Sequence, residues 1–253
     1  MEQSTGFNIE EIRVSQDKAT FSNYTDVKTT HIHFDWFVNF DKSAIEGTTT
    51  LTMSAINDVQ TVTLDTWALD VHKVSCHHDD HSHDLEFKVG DETEIGSPMT
   101  ITLNETQKAG STFKLVIAYA TTPSAKSLSW CKPEQTVEGK HPYLYSNSEP
   151  IYGRSIFPCQ DTPSVKAPYS ASVKSHLKVL LSADVVEERK SEDGEFTVTD
   201  FSMTMPIPSY LVSIAVGNIS FRKIGERCGV YCEESFIDKV AIEFEDMEQY
   251  LKI

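Results

Sequence analysis

The ten residues HIHFDWFVNF, from His31 to Phe40, constrain the fold more than any other stretch. Ile32, Phe34, Trp36, Val38 and Phe40 recur at every second position, with His31, His33, Asp35 and Asn39 among the residues between them. Successive side chains of an extended chain point to opposite faces, so this spacing predicts a strand with one face in a core and the other toward water. After a turn at Glu46-Gly47 the alternation resumes in Leu51, Met53 and Ala55. Further strands are expected over 62–64, 69–74, 85–89, 99–103, 113–119, 171–181, 195–203 and 210–219, bounded by Gly, Pro, Asn, Asp or Ser. Ten or more strands with hardly a helix predict a mainly β fold, a saddle-like antiparallel β-sheet or sandwich.

Two regions break the rhythm. From Thr121 to Lys166 six prolines fall without a period, the mark of a long ordered loop region that carries function or interface contacts. In the last segment, Ile237, Val240, Ala241, Phe244, Met247 and Leu251 recur at helical spacing, with Ser235 placed as an N-cap. The organisation expected is a flexible N-terminal segment over 1–27, a β domain over 28–232 and a C-terminal amphipathic helix over 233–253. The apolar stripe of that helix calls for a covering surface: the β domain, a second copy of the chain in a homo-oligomer, or another domain.

Charge narrows the classes of function. Thirty-eight acidic against 22 basic side chains give a net charge of −16 over 253 residues, which speaks against an electrostatic partner such as nucleic acid or an anionic membrane. No stretch approaches the roughly 18 apolar residues of a spanning helix, and the first 25 residues hold no signal-like apolar run. Five scattered cysteines, an odd number, read as reduced thiols in a cytoplasmic protein, and on that reading the Asn-x-Ser/Thr matches at Asn23, Asn104 and Asn218 are chance.

Catalytic motifs are missing from the sequence. No histidine is followed by glutamate, so there is no His-Glu-x-x-His zinc helix, and there is no nucleophile elbow, Walker loop or Gly-x-Gly-x-x-Gly. The densest polar cluster is CHHDDHSHD: Cys76, His77, His78, Asp79, Asp80, His81, His83 and Asp84. Imidazole and thiolate suit Zn²⁺, Ni²⁺ or Cu²⁺, which makes His77, His78, His81 and His83 candidate metal ligands, against the plainer reading of a solvated hairpin. Cys228 and Cys232 read as a thiol pair, and Trp36, Trp67 and Trp130 as packing residues.

The Pro-rich middle carries a specific likeness. KHPYLYSNSEPIYGRSIFPCQDTPSVK, from Lys140 to Lys166, resembles the N-terminal β domain of leukotriene A4 hydrolase and the aminopeptidase B-type zinc aminopeptidases. The likeness runs on through Leu64-Asp65-Thr66, Gly96-Ser97-Pro98-Met99, Pro133-Glu134-Gln135-Thr136 and Pro206-Ile207-Pro208-Ser209-Tyr210-Leu211. It implies a saddle-shaped β domain packed against a thermolysin-like catalytic domain, with the terminal helix opening the latter. The family's zinc helix and Gly-x-Met-Glu-Asn strand lie beyond Ile253, and neither motif occurs in this sequence. By family position, Glu149 takes the place of the acid or amide that lines the first subsite and binds the substrate amino group, and Asn147 stands where the family often has Gln. Arg154 and Asp161 are spaced to pin the loop.

The reading that follows is a non-catalytic, aminopeptidase-like β domain acting as a protein- or peptide-binding scaffold module, with no cofactor of its own although the family uses zinc. The alternative is a fragment or splice form of a zinc aminopeptidase or leukotriene A4 hydrolase-like enzyme, inactive without its catalytic domain. A third reading is a metal buffer built on the His77–His83 segment.

Overall fold

The computed structural model describes residues 17–78 and 81–251, with the side chains of His78 and His81 excepted. Seventeen strands are described: β1 (Val27–Asn39), β2 (Ala44–Ala55), β3 (Val59–Thr66), β4 (Leu69–His78), β5 (His81–Asp84), β6 (Phe87–Val89), β7 (Ser97–Gln107), β8 (Thr112–Thr121), β9 (Leu128–Cys131), β10 (Tyr143–Ser146), β11 (Ala167–Ser175), β12 (Lys178–Leu181), β13 (Asp184–Lys190), β14 (Thr197–Ile207), β15 (Ile214–Gly217), β16 (Ser220–Lys223) and β17 (Gly229–Cys232). The fold is mainly β, as the alternation predicts.

An eight-stranded sheet in the order β13-β14-β11-β1-β2-β8-β4-β5 forms the frame. Its pairs are antiparallel except β1 with β11, which run parallel from Ile32 opposite Tyr169 to Phe37 opposite Lys174. A three-stranded sheet (β3-β7-β6), a four-stranded sheet (β12-β15-β10-β9) and the β16-β17 hairpin complete the β structure. Ile32, Phe34, Trp36 and Val38 of β1, Leu51 and Met53 of β2, and Phe113, Leu115 and Ile117 of β8 are buried. They share one apolar core with Val62 and Leu64 of β3, Met99 and Ile101 of β7, and Leu144, Val179 and Val216 of the four-stranded sheet. Each large side chain so buried contributes about 1.5–3 kcal/mol relative to exposure.

Phe34 lies at a junction of that core. Its ring stacks on Trp36 at 4.2 Å and meets the edges of Phe157 at 4.8 Å and Tyr169 at 5.6 Å. It therefore joins β1, β11 and the irregular segment before β11. A polar contact crosses the same core: Trp36 Nε1 donates to Tyr119 Oη at 2.9 Å, and Thr49 Oγ1 lies 3.1 Å from the same phenol.

Both ends of the chain differ from expectation. Of the segment 1–27 expected to be flexible, residues 1–16 lie outside the described residues, and 17–26 are tied down. Ser22 and Tyr24 are buried, Asn23 Nδ2 donates to Thr61 O at 2.9 Å, and Asn23 Oδ1 accepts from Thr63 N at 2.9 Å. These ties are polar and irregular, so no apolar period betrays them.

The single helix expected over 233–253 is replaced by a 3-10 turn at Glu234–Phe236, a short α1 (Ile237–Glu243), a bend, and one turn of α2 (Met247–Tyr250). Ser235 lies within the 3-10 turn, and α1 starts without a side-chain cap. Two causes are local. The run Glu243, Glu245, Asp246 and Glu248 crowds like charges along the bend. Arg227, in the loop before β17, meanwhile draws α2 aside, its Nε 3.3 Å from Glu248 Oε1 and its Nη2 donating to Leu251 O at 3.2 Å. Only Ile237 of the expected stripe is buried, and a helix this short needs packing to persist.

Candidate functional site

The segment from Asn147 to Val165 has almost no regular structure, yet a charged cluster inside the protein holds it. Arg154 is fully buried, with Asp65 and Asp161 beside it at 0% and 2% exposure. Such groups persist in a core only when every polar atom has a partner. The guanidinium meets that condition: Nε donates to Asp161 Oδ2 at 2.9 Å, Nη1 to Ile95 O at 2.6 Å, and Nη2 to Ala19 O at 2.7 Å and Asp161 O at 3.1 Å.

The carboxylates are equally well supplied. Asp161 also accepts from Ser209 Oγ. Asp65 accepts from Phe21 N at 2.7 Å, Asp161 N at 2.9 Å and Thr20 Oγ1, with Arg154 Nη1 3.7 Å away. Burial pushes the Asp65 carboxyl up, against the opposing pull of Arg154 and these three donors. One buried cluster thus fastens five distant pieces of chain: residues 19–21, β3, the Ile95 turn, the 154–161 loop and Ser209.

Close packing around the cluster depends on glycine at one position. Gly96 has φ +93°, and a Cβ there would lie 2.5 Å from Thr66 O and 3.3 Å from Arg154 Cδ. Next to it, Asp65 and Cys159 exchange backbone hydrogen bonds at 2.7 and 3.2 Å, and Trp67 N donates to Arg154 O at 2.9 Å. Burial raises the Cys159 thiol, which is therefore neutral and structural. Gln160, also buried, accepts from Thr29 N at 2.9 Å and donates to Val27 O at 2.7 Å, fixing the start of β1.

The residues placed by family position ride on this frame. Asn147 and Glu149 are exposed, and Ser148 between them is buried. Asn147 N donates to Ser127 O and Tyr152 N to Ser148 O, both at 2.8 Å, while the Ser127 and Ser155 hydroxyls lie 2.9 Å apart. Ser148 Oγ has no hydrogen-bond partner among the described residues. The loop so presents an outward carboxylate at Glu149 and an amide at Asn147, with the Ser148 hydroxyl buried between them. A carboxylate so placed can hold a cation through a charge-assisted hydrogen bond; no nucleophile and base stand together here.

The described side chains of the histidine-rich segment do not converge on one point. It forms the β4-β5 hairpin, with Cys76 opposite His83 and His77 opposite Ser82. Alternation therefore puts His77 on one face and Cys76 with His83 on the other. His77 Nε2 lies 3.1 Å from both Ser75 Oγ and Ser82 Oγ, and burial raises the Cys76 thiol, which disfavours the thiolate a metal needs. The side chains of His78 and His81 and all of Asp79 and Asp80 lie outside the described residues. Among the described residues no three His, Cys, Asp or Glu side chains are grouped to hold a metal ion. All five cysteines are free.

Arg154 and Asp161 pair as their spacing predicts, whereas Asp65, Thr20 and Ser209 escape sequence reasoning. The available signal is an aspartate placed between the apolar Leu64 and Trp67 of a strand pattern, where water cannot satisfy it.

The peptidase M1 N-terminal domain family model matches residues 11–211. Leucine aminopeptidase 2 of Lodderomyces elongisporus is 37% identical over 241 residues, covering 94% of this chain and 36% of that protein. The protein of the same name from Saccharomyces cerevisiae is 35% identical over 241 residues, 93% of this chain and 34% of its own length. Among solved structures, yeast LTA4 hydrolase in complex with bestatin superposes with a TM-score of 0.84 at 33% identity, over 100% of this chain and 37% of that one. Native leukotriene A4 hydrolase from Saccharomyces cerevisiae gives 0.84 at 34% identity, over 96% of this chain and 37% of that one. The chain spans little more than a third of the length of these relatives. Among the described residues no helix is long and apolar enough to cross a membrane.

Proposed function

The chain belongs to the peptidase M1 N-terminal domain family, and from that premise we propose that it is the non-catalytic β domain of a cytoplasmic aminopeptidase-type protein. It offers the Glu149 loop to the free amino group of a peptide and an apolar face to a catalytic domain. The observation that carries the reading is the Arg154-Asp161-Asp65 cluster, which holds an irregular loop rigid while Glu149 stays exposed at its tip. Rigid support under a binding carboxylate preserves its geometry for an incoming ammonium group.

The docking face is the C-terminal end. Phe221, Ile242, Phe244, Met247, Tyr250 and Leu251 are exposed in β16 and the terminal segment packed on it, and exposed apolar side chains are what an interaction site covers. A free-standing scaffold module is the second reading, favoured by the same exposed face, which then takes a protein partner.

The test is a chimera in which this chain replaces the N-terminal third of the Saccharomyces cerevisiae leucine aminopeptidase 2. The chimera should hydrolyse leucine amides, Glu149→Gln should raise KM at least severalfold, and the chain alone should be inactive with or without added zinc. A chimera that folds and binds zinc but turns over no substrate, or is indifferent to Glu149→Gln, overturns the substrate-positioning reading. Activity of the chain alone overturns the non-catalytic one.

A further inference from the structure

The core-averted face of the eight-stranded sheet carries a cationic row that the reading above does not use. Cross-strand register places His31 of β1 opposite Thr52 of β2, Thr52 opposite Lys114 of β8, and Lys114 opposite His77 of β4. A second row beside it runs Ser170, His33, Thr50 and Val116. Together these eight residues line one groove of about 450 Å³, with no carboxylate among the described residues that line it. In a chain of net charge −16, a groove whose described lining is His, Lys, hydroxyls and one valine runs against the overall composition.

The donors in the groove are of two kinds. His33 is held in place, its Nδ1 2.8 Å from Ser170 Oγ and its Nε2 3.3 Å from Asp35 Oδ2. His77 rests on Ser75 and Ser82. By contrast, the rings and hydroxyls of His31, Thr50 and Thr52 and the Lys114 ammonium make no side-chain hydrogen bond or ion pair among the described residues. His31 and Lys114 flank Thr52 from the two neighbouring strands, so their Cα atoms stand roughly 10 Å apart. That gap suits a tetrahedral oxyanion resting on the Thr52 hydroxyl and reached from both sides.

We propose that this groove is a binding site for a tetrahedral oxyanion, the phosphate of a small molecule, held by His31, Thr52 and Lys114 with Thr50 alongside. The electrostatics agree. Burial first, and then His33 and Lys114, press the His31 pKa down, while the Asp35 hydrogen bond, with Asp200 beyond it, raises that of His33. An anion in the groove relieves the repulsion of His31 by His33 and Lys114.

Inorganic phosphate titrated into the whole chain at about pH 6, below the ordinary histidine value of about 6.5, tests this by amide NMR at constant ionic strength with chloride as the balancing anion. Saturable shifts centred on residues 31, 50, 52 and 114 are expected, with Lys114→Ala weakening binding about tenfold and Thr52→Val weakening it as well. Lys108→Ala, whose ammonium is taken by Asp58, should change nothing. Shifts that chloride reproduces, or an equal loss in Lys108→Ala and Lys114→Ala, overturn the proposal. A small phosphate monoester binding more tightly than phosphate itself would support an esterified phosphate as the natural ligand, and weaker binding of the ester than of phosphate would overturn the small-molecule assignment.

Discussion

Arg154 and Asp161, seven residues apart, meet at 2.9 Å with both side chains out of contact with water. The pair cannot be judged as a surface ion pair, because each partner protects the other from being a lone buried charge. Arg154→Met leaves Asp65 and Asp161 buried with no cation, a change that typically costs about 3–5 kcal/mol. Urea unfolding should show that loss. Arg154→Lys should recover only part of it, since an ammonium cannot reach Asp161, Ile95 O and Ala19 O together. A near-neutral Arg154→Met would mean that the loop is held by Phe157 and backbone bonds alone.

Among the described residues the Tyr119 phenol is the sole partner of the Trp36 indole N–H, and it contacts Thr49 as well. Burial pushes its pKa far up, so it stays a neutral donor and acceptor at any working pH. Tyr119→Phe keeps the ring but strands the indole donor in the core, and a loss of about 1–3 kcal/mol is expected. Chemical unfolding followed by tryptophan fluorescence measures it. Thr49→Val should cost less, because the Trp36-Tyr119 bond survives.

These two networks show what was legible from residue order alone. The alternation of β1 was plain because one face is wholly buried, and Ile32, Phe34, Trp36 and Val38 lie where it places them. β13 was invisible because all seven of its residues are exposed on the sheet edge, so no two-residue period exists to find. The stretch 171–181 reads as one strand yet forms two in different sheets, since the chain turns at His176-Leu177 while apolar residues continue. β9 and β10 hide among prolines. In the loop, the Arg154-Asp161 pair was local enough to infer, but Asp65, Thr20 and Ser209 reach it from far along the chain, and single-sequence spacing carries no record of such contacts. A helix is present at the C-terminal end as the stripe predicts, but in two short pieces, because a periodic stripe records what could be buried and among its residues only Ile237 is buried.

His31 and His33 should titrate in opposite directions from the ordinary histidine value of 6.5. The Asp35 hydrogen bond raises His33, whereas burial first and then His33 and Lys114 lower His31. The contribution of His33 to stability is therefore fully present below 6.5 and lost as pH rises through its raised value. That of His31 is present above 6.5 and lost as pH falls through its lowered one. NMR titration of the two rings should give two separate midpoints, His33 the higher. Asp35→Asn should bring the His33 midpoint down, and coincident midpoints would show that Asp35 does not hold the ring.

The exposed apolar end should govern association. Ile242 is 67% and Tyr250 66% exposed, beside Phe244, Met247 and Leu251, with the α1 base anchored by buried Ile237 and an Arg222-Asp238 pair at 2.8 Å. The segment is thus attached to the β16-β17 hairpin yet turns apolar side chains to water, and water favours any contact that covers them. Sedimentation at rising concentration should show reversible self-association of the chain. Ile242→Glu with Phe244→Glu should return it to monomer without lowering its unfolding midpoint, because neither side chain belongs to the core. A chain that stays monomeric at all concentrations would mean that the segment folds back in solution and covers these residues itself. That result would also remove the apolar face from any account of docking to a catalytic domain.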